Sequence, residues 1–240
     1  MKLLEIEMDL PYQKNQSFIN EIQKTKLLDY QEAVKQDYEL NWKEKRRNFQ
    51  LMTRCMTSMI ERIMEPIVTQ DCWKIIIECV ENQVSKRHEN LLGVYVIQIK
   101  FDLNMFLTAD DYSKKKIVID TVLKGIRELS NNVPFELNNI IDACMEITNN
   151  GYINEWLWGK PVRLKGKIAR VKIKHDIRNV NIFITFVNRD NEFIKEELVI
   201  SAIPDERAYA QYLGKLNRIS EDTVVLIDKS GKELMKVQCQ

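Results

Sequence analysis

One short basic run contains the residues of this chain whose types and spacing could bind a charged partner. Between residues 163 and 174, cations alternate with apolar residues; they are Arg163, Lys165, Lys167, Arg170, Lys172 and Lys174. Alternation with a period of two predicts a β-strand with one wet face. Cations gathered on such a face could bind an anionic partner, for example the phosphates of a nucleic acid. They could equally form a solvated outer face, on which lysine discourages edge-to-edge pairing.

The alternation changes phase in the middle of the basic run, near residues 166–169. A slip of one residue would turn every later side chain to the opposite face. A β-bulge at this point would absorb the slip, so we predict that all six cations share one face of a single strand. Residues 151–178 hold eight basic and two acidic residues, in a chain with a net charge of only +1. The predicted strand is therefore a local basic region in a nearly neutral protein.

Two tryptophans precede the basic run. Trp156 and Trp158 are two positions apart and would share a face if the chain is extended there. Tryptophan is favoured as an anchor at protein interfaces, but a pair of aromatic rings can also close the edge of a core. We take Trp156, Trp158 and the six cations as the candidate partner-binding residues.

The chain carries no recognisable catalytic motif. No glycine-rich phosphate loop and no nucleophile elbow is present. The two histidines, His88 and His175, have no nucleophile nearby in sequence, and the five cysteines lack the spacing of zinc ligands. Asp190 and Glu192 do not have the spacing to Lys195 that a metal-dependent nuclease would need. We therefore expect no enzymatic activity, no metal and no cofactor.

Apolar periodicity predicts the elements that position these residues. A meander of three antiparallel strands is predicted over 161–203, and a hairpin over 73–80 and 91–101. Two helices are predicted between them, the second starting at Pro134, and a second hairpin closes the chain over 223–237. The predicted fold class is α+β, with a predominantly antiparallel sheet, helices packed mainly on one face and a long N-terminal helix. We divide the chain into an N-terminal helical region, residues 1–70, and an α+β domain, residues 71–240.

The long helix follows from an apolar stripe between Val34 and Ile67 that advances in steps of three and four residues. A continuous helix over residues 29–64 would be roughly 50 Å long at about 1.5 Å per residue, so we expect a break near residues 41–48. A stripe of this length could also contact a second copy of the chain, which predicts a homodimer.

The N-terminal sequence lacks the uninterrupted apolar segment of a signal peptide, and no apolar run approaches the length of a membrane span. We therefore expect a cytoplasmic protein without membrane contact. With 45% hydrophobic and 30% charged residues, the composition is typical of a globular protein.

The order of the elements resembles that of bacterial immunity proteins encoded beside polymorphic toxins. The resemblance rests on the strand at 95–102 and the helix at 111–129, then on Trp156, Trp158 and the strands up to Pro204. It covers about residues 70–240 and implies a cytoplasmic protein that binds and neutralises a cognate toxin without catalysis. A neutral chain with a basic face departs from the strongly acidic character expected of nuclease inhibitors. The alternative is a nucleic-acid-binding accessory protein that uses the basic strand 163–174.

Overall fold

The computed structural model describes residues 1–83, 89–133 and 135–239, and these form two compact units, Met1–Tyr152 and Ile153–Gln240. Helix makes up 39% and strand 32% of the chain, and most strand pairs are antiparallel, which confirms the α+β class. The predicted boundary after residue 70 falls inside the first unit, because strand β1 (Glu5–Asp9) pairs with β2 (Lys74–Val80). His88 and the predicted helix start at Pro134 lie outside the described residues.

The first unit contains one sheet and its helices. After β1 come α1 (Gln16–Lys26), α2 (Tyr30–Asp37), a π-helical turn (Tyr38–Trp42), α3 (Lys43–Ile63), β2, β3 (Glu89–Leu91), β4 (Val94–Lys100), α4 (Leu103–Thr108), α5 (Asp111–Ser130) and α6 (Asn138–Asn149). The strand order is β1-β2-β4-β3. Gly125 of α5 lies against the side chain of Ile77, so this helix packs closely on the buried face of β2.

The predicted hairpin of 73–80 with 91–101 is wrong, because β2 and β4 run parallel. The short strand β3 pairs antiparallel with β4 on the side away from β2, so β4 lies between β2 and β3. The strongly apolar character of both segments fits this arrangement, since parallel strands are usually shielded on both faces.

The long helix is present over residues 30–63, but it follows β1 and α1 and so does not begin the chain. The π-helical turn at Tyr38–Trp42 interrupts it close to the predicted break. Its apolar stripe is buried within the first unit, where Phe49 packs edge-on against Phe101 and Phe106. Much of the stripe is thus covered by its own unit, and the homodimer along this helix stays a prediction.

The second unit is built from two antiparallel sheets. One contains β5 (Glu155–Arg163), β6 (Lys167–His175), β7 (Val180–Asn188) and β8 (Phe193–Ala202) in sequential order; the other has the order β11-β10-β9, formed by β9 (Lys215–Arg218), β10 (Thr223–Ile227) and β11 (Glu233–Gln238). A single core joins them, with Ile182 and Phe186 from one sheet and Val224 and Leu226 from the other. The predicted meander is thus confirmed but has four strands, and the predicted C-terminal hairpin is confirmed as β10 and β11. Between the two sheets the chain forms the short helix α7 at Glu206–Tyr209 and a 3-10 turn at Ala210–Tyr212.

The basic run is a hairpin and not one bulged strand. The Leu164 N–H donates to the Lys167 carbonyl at 2.9 Å, and Gly166 has a φ of +75°, which glycine adopts in tight turns without strain. The irregularity of register lies instead in β5, between Trp158 and Val162.

Among the described residues, no helix is both long and apolar enough to cross a membrane.

Candidate binding face

Strand β6 divides its side chains between the core and the outside of the four-stranded sheet. Ala169, Val171 and Ile173 are fully buried in the core. Because successive side chains of a strand point to opposite faces, Arg170, Lys172 and Lys174 lie on the other side of the sheet. We call that side the outer face.

The register of the four strands arranges the outer face in rows. One row runs across the sheet from Leu157 through Lys172 and Phe183 to Leu198, and we call it the apolar row because three of its four residues are apolar. With neighbouring strands about 4.8 Å apart, it spans roughly 14 Å. A row on one side contains Glu155 and Lys174, and a row on the other contains Arg170, Thr185 and Glu196. The last row contains Arg163, Ile168, Val187 and Phe193.

Two of the lysines on the outer face are neutralised by carboxylates. Glu196 of β8 forms ion pairs with Lys172 and with Lys174, the second with 3.1 Å between Nζ and Oε1. Glu155 of β5 lies 3.8 Å from both ammonium groups, and Thr185 Oγ1 donates to Glu196 Oε2 at 3.0 Å. The Lys174 ammonium also lies 4.9 Å from the centre of the Phe183 ring. We call Glu155, Lys172, Lys174 and Glu196 the ionic cluster.

The electrostatics of the ionic cluster favour its charged state. Burial raises the pKa of Glu196, but the hydrogen bonds from Lys172, Lys174 and Thr185 outweigh burial and hold the pKa below its ordinary value. Burial likewise opposes the charge of Lys174, while Glu196 and Glu155 raise its pKa. The cluster therefore consists of two cations and two anions that hold each other in place.

The structure does not bring all six predicted cations to one face. Lys165 lies in the hairpin turn and pairs with Glu221 at 3.3 Å, while Lys167 donates to the Cys239 carbonyl at 2.9 Å. Arg163, Arg170, Lys172 and Lys174 do share the outer face. The prediction fails for Lys165 and Lys167 because the chain reverses in a two-residue turn, Lys165 and Gly166, and does not continue through a bulge.

The two arginines differ from the lysines of the outer face. Arg170 Nη2 donates to the neutral Asn191 side chain at 2.7 Å, and the exposed Arg163 lies on the adjacent strand. Within the described ranges, no carboxylate is within 4.0 Å of either guanidinium. These are the cations of the outer face that retain an uncompensated charge.

Apolar side chains are exposed beside the ionic cluster. Leu157 is 53% exposed, Leu198 is 48% exposed and Phe193 is 67% exposed, on the two edge strands of the sheet. Sequence reasoning missed these residues, although one signal was present. Leu157 and Leu198 each stand two positions after a glutamate, where the alternation predicts a wet face.

Trp156 and Trp158 share a face, as predicted, but it is the inner one. They pair in register with Ile173 and Val171 and pack, half buried, against the core of the second unit. This position agrees with the interpretation of the pair as aromatic residues that close a core edge. It places their rings on the opposite side of the sheet from the exposed leucines.

Among residues 1–83, 89–133 and 135–239, the remaining reactive side chains are not gathered into a site. His175 is buried and meets Tyr209 edge-on, with 6.0 Å between ring centres. Burial raises the pKa of the Cys72 thiol to about 11 and that of Cys144 to about 12, so both are poor nucleophiles. Lys195 pairs with Glu197 and donates to the Gln238 carbonyl, away from any metal-binding arrangement with Asp190. In the part of the chain that the structure describes, no group of three or more His, Cys, Asp or Glu side chains could hold a metal ion.

The outer face thus offers an apolar row, a neutralised ionic cluster and two arginines, all on one four-stranded sheet. Groups of these kinds can bind another surface by burial and by hydrogen bonding. Comparison with known proteins finds no matching family model, no matching curated protein and no matching solved structure.

Proposed function

We propose that this chain is a non-catalytic binding protein, of the immunity-protein kind, that neutralises a toxin by binding it through the outer face of the second unit. The observation that carries the proposal is the exposure of Leu157 and Leu198 in one row with Phe183. Large apolar side chains that stay exposed in a cluster are typical of surfaces that bind a partner.

The composition of the outer face supports a protein partner. An interface needs apolar side chains that lose water, with polar groups around them. Here Leu157, Phe183 and Leu198 share their row with Lys172 of the ionic cluster, and Arg170 lies in the next row. The sheet holds these side chains on regular strands, so little order has to be imposed when a partner binds. The row alone is shorter than a standard interface of about 800 Å² per partner, so it would form the centre of a larger contact.

The pairing of Lys172 and Lys174 argues against nucleic acid as the main partner. Binding to phosphates draws its free energy from unpaired cations that release counterions. Both lysines already have carboxylate partners, and a phosphate would have to compete with Glu196 and Glu155. Nucleic-acid binding through the 163–174 segment remains the second candidate, since Arg163 and Lys165 are exposed.

Co-expression with the flanking genes tests the proposal. Each gene that flanks the coding sequence is expressed in a host with and without this chain, and growth is followed. We expect one flanking product to arrest growth and this chain to restore it. Failure of every flanking product to arrest growth, or of the chain to relieve the arrest, would contradict the immunity role.

Variants of the outer face make the test specific. We expect Leu157→Ser with Leu198→Ser to lose the protection. The matched control is Leu40→Ser with Leu107→Ser, which changes two exposed leucines of the first unit. Unfolding curves of both double variants should stay close to that of the parent, because exposed side chains contribute little to folding.

A further inference from the structure

The charges of the outer face indicate which chemistry its partner presents. The ionic cluster contains two lysines and two glutamates and is therefore neutral as a group. Arg163 and Arg170 add two positive charges that the described residues do not compensate by an ion pair. These strand positions of the outer face consequently carry more positive than negative charge.

The two arginines are placed at the same end of the face. Arg163 pairs in register with Ile168, and Arg170 lies two residues further along the same strand as Ile168. Diagonal neighbours on adjacent strands are roughly 7–8 Å apart, so two separate anionic groups could be bound side by side. Arginine is suited to this role because its planar fork binds a carboxylate through two parallel hydrogen bonds.

The apolar row adjoins the arginines. Leu157 and Phe183 belong to the row next to that of Arg170, and Phe193 lies in the same row as Arg163. A ligand that reaches both features must carry apolar and anionic groups within roughly 7 Å of each other, the spacing of alternate residues along a strand.

We infer that the partner of the outer face is an acidic protein surface, in which aspartate or glutamate side chains flank one or more large apolar side chains. The carboxylates bind Arg163 and Arg170, and the apolar side chains pack on Leu157, Phe183 and Leu198. This inference rests on the proposed use of the outer face and adds the chemistry of the partner. A nucleic-acid backbone supplies the anions but leaves the exposed leucines without an apolar counterpart.

Selection from a random peptide library displayed on phage tests this inference without knowledge of the natural partner. The full chain is immobilised, and bound phage are counter-selected on a variant with Leu157→Ser and Leu198→Ser. We expect the recovered peptides to be enriched in Asp and Glu next to Leu, Phe or Trp. Their synthetic versions should bind the parent chain at least about 10-fold more tightly than a variant with Arg163→Glu and Arg170→Glu, a loss of about 1.4 kcal/mol.

The matched control is Lys24→Glu with Lys116→Glu, which makes the same change of charge at exposed sites of the first unit. Peptide affinity should change less than about 3-fold there, since these lysines do not belong to the outer face and charges outside a contact are screened over roughly 8 Å at physiological salt. A fluorescent single-stranded DNA oligonucleotide is measured in parallel, and we expect it not to compete with the peptides.

Three results would overturn the inference. One is the recovery of peptides without acidic enrichment, or of no peptide that distinguishes the parent from the leucine variant. Another is that the selected peptides bind the variant with Arg163→Glu and Arg170→Glu as tightly as they bind the parent chain. The third is tight oligonucleotide binding that the arginine substitutions abolish. If acidic peptides bind as expected but no flanking gene encodes a toxin, the immunity role fails while the inference about the partner's chemistry stands.

Discussion

Lys174 and Glu196 form an ion pair, 3.1 Å between Nζ and Oε1, across the strand that separates theirs. Lys174 belongs to β6 and Glu196 to β8, and Thr185 of the intervening β7 donates to the same carboxylate. Two of the six cations predicted to bind a partner, Lys172 and Lys174, therefore help to link three strands of the sheet. Because these lysines are already paired, we expect a partner to bind the apolar row and the two arginines instead.

The first prediction concerns the acid stability of the second unit. The folded state holds the pKa of Glu196 below its ordinary value of 4.5, so this carboxylate stabilises the fold above that pH. The stabilisation is lost as the pH falls through 4.5 toward the lower pKa of the folded state. We expect Glu196→Gln to lower the free energy of unfolding by about 1–3 kcal/mol at neutral pH. The difference from the parent should shrink below about pH 4.

Urea unfolding at several pH values measures the effect. The control is Glu197→Gln, because Glu197 pairs with Lys195 and both side chains are 39% exposed. Exposed pairs of this kind contribute about 0–1 kcal/mol. Equal losses in the free energy of unfolding for Glu196→Gln and Glu197→Gln would contradict the stabilising role of the Glu196 carboxylate. A difference between Glu196→Gln and the parent that stays constant across the pH range would contradict it as well.

The second prediction concerns the first unit, where Arg46 binds Asp9 through two hydrogen bonds. Asp9 is only 5% exposed, and Arg46 is the cation that pairs with it. We expect Arg46→Met to cost about 3–5 kcal/mol, because an uncompensated carboxylate would be left in the interior. On the same helical run, Lys43 pairs with Glu39 in solvent, and Lys43→Met should leave the stability close to that of the parent. Similar unfolding midpoints for the two variants would refute this difference.

The third prediction uses backbone strain. Leu27 follows α1 with a φ of +53° and a side chain that is 91% exposed. Because a left-handed conformation costs a residue with a Cβ roughly 1–2 kcal/mol, Leu27→Gly should raise the free energy of unfolding by up to about 1 kcal/mol. Leu40 is also exposed but lies in the helical run, so Leu40→Gly should lower stability by about 1 kcal/mol. If the free energy of unfolding changes in the same direction in both variants, the left-handed conformation of Leu27 at the end of α1 is not the cause.

The fourth prediction separates the two candidate functions. We expect no appreciable binding of single- or double-stranded DNA or RNA at about 150 mM salt, where the Debye length is roughly 8 Å. Replacing Arg163, Lys165 and Lys167 by Gln should therefore change little in a filter-retention assay. Micromolar binding that weakens steeply with salt, and that these substitutions abolish, would favour the nucleic-acid-binding function.

The sequence predicted what depends on local periodicity. Alternation on β6 correctly separated Val171 and Ile173 from Arg170, Lys172 and Lys174, because the two faces of a strand follow directly from the order of its residues. The same logic failed at Gly166, where an exposed X-Gly pair is a turn signal and was interpreted as a bulge.

Pairings between distant segments could not be predicted in the same way. The parallel alignment of β2 with β4 depends on how the chain returns between them, which periodicity does not record. The meeting of Glu196 with Lys172 and Lys174 depends on the turns and on shifts of register in β8. Glu196 was visible in the sequence as one of two adjacent glutamates, but only the register shows which of them faces the lysines.

The affinity between the full chain and the flanking-gene product that it neutralises tests the central claim most directly. Titration calorimetry should be carried out with the parent, with the variant containing Leu157→Ser and Leu198→Ser, and with the control containing Leu40→Ser and Leu107→Ser. We predict at least about 100-fold weaker binding for the outer-face variant and less than about 3-fold change for the control, since central apolar residues carry most of the energy of an interface. Equal affinities for all three proteins, or no binding of any flanking-gene product, would contradict the claim that the outer face is the binding surface.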